Sequence, residues 1–84
     1  MKFITYGKTL YSLENVKTIT VDDGYRHKHT SNGEPYFLYG KTFAISYFGG
    51  DNATISVDNF TSEQKCDQAA QALFNQIQTV LSGD

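Results

Sequence analysis

The chain is poor in the residues that most often mark a chemical function. It has one cysteine, one proline and no tryptophan. A lone thiol, Cys66, excludes an internal disulfide. No apolar run is long enough to cross a membrane, and the opening "MKFITYGK" lacks the apolar stretch of a signal peptide, so the expectation is a cytoplasmic protein without membrane association. Charge of either sign is also scarce. Seven Lys and Arg stand against nine Asp and Glu, a net charge of −2, which gives no general attraction to polyanions. With 84 residues there is room for one domain, 1–84, which buries roughly 60% of its unfolded surface around a thin core.

What is present is tyrosine, phenylalanine and β-branched residues up to Asn59, then alanine and glutamine after Glu63. That shift predicts a sheet followed by a helix. From Cys66 the apolar residues Ala69, Ala70, Leu73, Phe74, Ile77, Val80 and Leu81 recur every three or four positions, one stripe of a helix. Thr61 and Gln64 fit a capping box at its start, and Gly83 fits its end.

The strands alternate. "KFITY" and "TLYSL" flank Gly7-Lys8, where glycine suits the first position of a type II′ turn. "VKTITV" reads as a third strand, and "KTFAISYF" and "ATISV" join across "GGDN". Phe43, Ile45, Tyr47, Ala53, Ile55, Val57, Ile19 and Val21 share one face. Thr18, Thr20, Ala44, Ser46, Thr54, Ser56 and Asp58 share the other. A helix can cover the first face and water the second. Phe48, Tyr11 and the first strand fit this pattern least and are expected at edges. The fold class is therefore α+β: an antiparallel sheet of five or six strands in hairpins or meanders, with one C-terminal helix packed on one face.

"YGKT" occurs at 6–9 and again at 39–42, and "TITVDD" at 18–23 is matched by "TISVDN" at 54–59. A phosphate loop needs G-x-x-x-x-G-K-[ST], but Lys2 and Pro35 occupy the positions of the missing first glycines. Duplication of a three-stranded meander is the competing reading.

Between the two halves lies "DDGYRHKHTSNGEPYFLY", 22–39, expected as a long loop or hairpin tip with "PYFLY" rejoining the sheet. His27 and His29 with Asp22 and Asp23 resemble a metal site but have no third ligand at diagnostic spacing, so loop histidines and a turn-capping Asp22 are expected. Cys66 falls on the apolar stripe and reads as a core thiol. No serine sits in a nucleophile elbow. The expectation is no catalysis, no cofactor and no metal.

This leaves a non-catalytic interaction module with a protein partner, self-associating as a homodimer through a sheet edge. Its expected contact residues are Tyr25, Arg26, Lys28, Tyr36, Phe37, Tyr39 and Lys41. The alternative is weak binding of single-stranded nucleic acid by the Lys, Arg and Tyr surface of residues 1–41, with aromatics stacking bases. Strands followed by a C-terminal helix resemble the layout of single-strand-binding domains of the transcriptional-coactivator type. They resemble pleckstrin-homology-like modules equally, and no motif carries over residue by residue.

Overall fold

The computed structural model describes residues 2–83. Six antiparallel strands and one helix follow in chain order: β1 (Phe3–Tyr6), β2 (Thr9–Ser12), β3 (Val16–Val21), β4 (Tyr25–Ser31), β5 (Glu34–Tyr47), β6 (Asn52–Phe60) and α1 (Glu63–Ser82). The α+β class and C-terminal helix match the sequence pattern. The strands form two sheets rather than one, because β1 and β2 pair only with each other while β5 organises the other four.

β5 is 14 residues long and is flanked end to end on one side. Its second half pairs with β3, from Val21–Phe43 to Val16–Tyr47, and its first half pairs with β4, from Tyr25–Gly40 to Ser31–Glu34. On its other side β6 covers Tyr39 to Ser46. Thus β3, β4 and β5 make one long hairpin, kinked where Asp22 ends β3. The Asp22 carboxylate accepts from the Gly24 and Thr42 amides at 3.0 and 3.1 Å, the turn-capping role that the sequence suggests.

The meander duplication does not hold. β3 leaves β2 through a turn in which Asn15 has φ 61°, and joins β5 instead. The first "YGKT" closes the β1–β2 hairpin, with the positive φ on Gly7. The second lies inside β5. "TITV" and "TISV" flank β5 on opposite sides, so the likeness reflects what strands are made of.

The expected faces are the observed ones. Phe43, Ile45, Ile55 and Val57 are fully buried, and Cys66, Ala70, Leu73 and Ile77 from α1 pack over them. Thr18, Thr20, Ala44, Thr54, Ser56 and Asp58 stay exposed on the reverse side. Ile4 and Leu13 from the first hairpin complete the core. The hairpin is held there by the Gln76 amide, which accepts from the Thr5 N–H at 2.9 Å, and by the Tyr47 hydroxyl, which donates to the Ser12 carbonyl at 2.6 Å. Tyr11 is half-buried against this core, whereas Phe48 lies in the turn after β5 and is 73% exposed.

The helix begins one residue later than the capping-box reading. Ser62, not Thr61, is the N-cap, and its hydroxyl accepts from the Lys65 amide at 3.3 Å. Gly83 ends the helix with an ordinary φ of −82° and donates to the Thr79 carbonyl.

Candidate interaction surface on the β4–β5 arm

The segment expected as a long loop or hairpin tip is an ordered two-stranded ribbon, and "PYFLY" does rejoin the sheet, as part of β5. Asn32 and Gly33 have φ of 53° and 78°, the two positive values that a type I′ turn requires, so β4 and β5 meet across two residues. The Asn-Gly pair is the signal that sequence reading missed. It was legible, but the charged and histidine-rich flank on one side concealed the alternation.

The ribbon projects from the body. Every residue from Arg26 to Tyr36 is exposed, and no helix residue is buried against the distal half. The molecule measures 50 × 24 × 23 Å with a radius of gyration of 14.8 Å, against ~12 Å for a compact chain of this length.

Its root is fixed at Gly40. The Tyr25 ring lies over this glycine across the ladder, and a β-carbon at position 40 would stand 2.7 Å from the ring and 2.9 Å from the Asp58 β-carbon. Gly40 is buried and has no positive φ, so the requirement is for space alone.

Strand alternation divides the expected contact residues between two faces. Phe37, Tyr39 and Lys41 share the helix-side face with Phe43. Lys41 reaches α1 and pairs with Asp67 at 3.2 Å. Arg26 lies on the same side, its guanidinium 4.4 Å from the centre of the Phe37 ring. Lys28, opposite Phe37, belongs there too. Tyr25 and Tyr36 occupy the other face with both histidines. His29 stacks on Tyr36 at 5.5 Å, and His27 meets the Tyr25 edge at 5.1 Å. The structure therefore gathers the seven residues on one ribbon, with five on its helix side and two behind.

The histidines, expected in a loop, lie on strand β4 and share a side, where their rings engage tyrosines; no group of three or more metal-binding side chains occurs among the described residues. Cys66 is buried, its thiol directed to the Val57 carbonyl at 3.7 Å. Burial, and then the Asp67 charge, push its pKa upward, only partly offset by Lys41, so the thiolate is disfavoured. No described helix is long and apolar enough to cross a membrane.

Beside the root runs a cleft between the β3–β4 edge and α1. One part, about 170 Å³, is lined by Asp23, Gly24, Tyr39 and Glu63 among others. The second, about 220 Å³, is lined by Val21, Phe43, Ala70 and Phe74. The Lys41–Asp67 pair contributes to both.

No protein-family model matches the chain, and no curated protein or solved structure is significantly similar to it.

Proposed function

We propose that this protein is a non-catalytic interaction module that joins other chains, including a second copy of itself, through its open sheet edges. The observation that carries this reading is the arm. A lone two-stranded ribbon is marginally stable in water. This one nevertheless carries an exposed Tyr36 and half-buried Phe37 and Leu38 that do not join the core. Such a surface recovers the cost of its exposure when another chain covers it.

Among the described residues the outer edges of β3, β4 and β6 carry no backbone ladder, nor do those of β1 and β2. The β6 edge from Asn52 to Val57 is uncharged. Two copies paired antiparallel about Ile55 place Thr54 opposite Ser56 and Ala53 opposite Val57, with no charges opposed. This is the edge that suits self-association. The bulge at Asp58 and Asn59, where Asn59 has φ 65°, limits it to that stretch. A single thiol with no second cysteine to pair with supports a reducing compartment, the cytoplasm.

Sedimentation equilibrium tests the self-association. The expected result is a concentration-dependent dimer that dissociates when Thr54→Lys and Ser56→Lys set like charges against each other on the exposed side. A strict monomer at the highest attainable concentration would remove the second copy from the proposal.

A further inference from the structure

The geometry points to a specific occupant for a second edge: the outer side of β4 binds an extended, acidic segment of a different protein. The inference rests on the interaction-module reading and names the partner of the arm.

Hairpin geometry decides which backbone groups are available. In a two-residue hairpin, the pair closing the turn exchanges hydrogen bonds, and so does every second pair beyond it. Counting from Ser31–Glu34, the pairs His29–Tyr36, His27–Leu38 and Tyr25–Gly40 direct their amides and carbonyls inward. Arg26, Lys28 and Thr30 on β4 therefore direct theirs outward. On β5 the outward positions are Pro35, Phe37 and Tyr39. Tyr39 already faces Phe60 of β6, and Pro35 has no N–H. The β5 side of the arm offers one outward donor, at Phe37, while the β4 side offers three in register. A strand adding to the arm adds to β4.

Charge then selects the strand. The outward positions of β4 carry Arg26 and Lys28, and its only acidic neighbour on the ribbon is Glu34 across the turn. Pairing β4 with β4 of a second copy sets cations opposite cations in the fully overlapping register and in those displaced toward Arg26. Centred on Lys28 it opposes Lys28 to Lys28, and one step along it opposes Arg26 to Lys28. Two steps along it opposes Arg26 to its own image. A strand with Glu or Asp at alternate positions meets Arg26 and Lys28 on one face and gains attraction at both. The acidic stretch of the partner is short, because the same edge turns acidic at Asp23 and, across the cleft, at Glu63 and Asp67.

The test uses the full chain and short strand-forming peptides of Thr and Val, with Glu, Gln or Lys at alternate positions, alongside oligothymidylate. Binding is read by anisotropy, and amide exchange by NMR at Arg26, Lys28 and Thr30. The Glu peptide is expected to slow exchange at these amides, to bind about tenfold more tightly than the Gln peptide, and to lose that advantage in Arg26→Glu/Lys28→Glu. Thr30→Pro, which removes an outward donor and keeps both cations, is expected to weaken the Glu peptide while leaving the fold intact. Equal protection by the Gln and Glu peptides would overturn the acidic partner and leave the edge reading standing. No protection by any peptide would overturn both. Tight oligothymidylate binding unaffected by Thr30→Pro would overturn the proposal in favour of nucleic acid.

Discussion

The two ends of β5 are built from similar letters and have opposite fates. "FAISY" alternates large with small or polar residues, whereas "PYFLY" is large at every position after its proline, and both lie within one strand. In the first, Phe43 and Ile45 are buried between β3, β6 and α1. In the second, Phe37 and Tyr39 point the same way along the strand but neither joins the core: Tyr39 lines the cleft beside Glu63 and Cys66, and Phe37 has an arginine as its cover. The difference teaches that alternation sets which face a residue takes, while the length of the covering helix sets whether that face is core. α1 begins at Glu63, Asp67 in its second turn pairs with Lys41, and the core ends there.

The contrast breaks most visibly under truncation. Phe43→Ala is expected to cost about 3–5 kcal/mol in denaturant unfolding, as for a buried aromatic, and Phe37→Ala under about 1 kcal/mol. Similar losses at the two positions would mean that the arm is part of the core. At the junction, Gly40→Val drives a side chain into the Tyr25 ring. It is expected to cost about 1–3 kcal/mol and to shift the Tyr25 resonances while those of Leu73 and Ile77 stay put. Ser62→Ala removes the cap of α1 and is expected to cost about 1 kcal/mol, measured by thermal or urea unfolding.

Alkaline stability sharpens the same boundary. The Cys66 pKa is raised in the folded state, so between its unfolded and folded values the native protein holds a proton that the unfolded chain has released. Stability is full below the unfolded value and falls as pH rises through about 8.5 and above. Tyr6, raised by burial first and then by Asp58, adds to the loss at higher pH. The slope of stability against pH above 8.5 is expected to be shallower in Cys66→Ala. An unchanged slope would show that the thiol is solvated. Least of all, Lys41→Met is expected to change stability by about 1 kcal/mol or less, since both partners of its ion pair are partly exposed.

The sheet faces, the helix stripe and the hairpin at Gly7 were legible because each depends on local periodicity or one turn residue. The partner of β3 was not. "VKTITV" carries no mark of whether it pairs with the strand before it or with one more than 20 residues later, since both pairings bury Ile19 and Val21 on the same side. The N-cap was displaced by one residue because Thr61 and Ser62 are both competent and the tertiary approach of α1 chooses between them. The contact residues were legible as a group but not as faces. Their division between the helix side and the reverse side follows from the register across Asn32-Gly33, which becomes readable only once that pair is taken as a turn.

The central claim is that β5 serves a core at one end and an uncovered, partner-accepting ribbon at the other. Native-state amide exchange along this strand tests it most directly. The Phe43 and Ile45 amides are expected to exchange only through global unfolding. Those of Tyr36 and Leu38 are expected to remain slower than in an unfolded chain, yet to open by a local route well below the global free energy. Uniform global protection from Tyr36 to Ile45, or no protection at all before Gly40, would contradict the account.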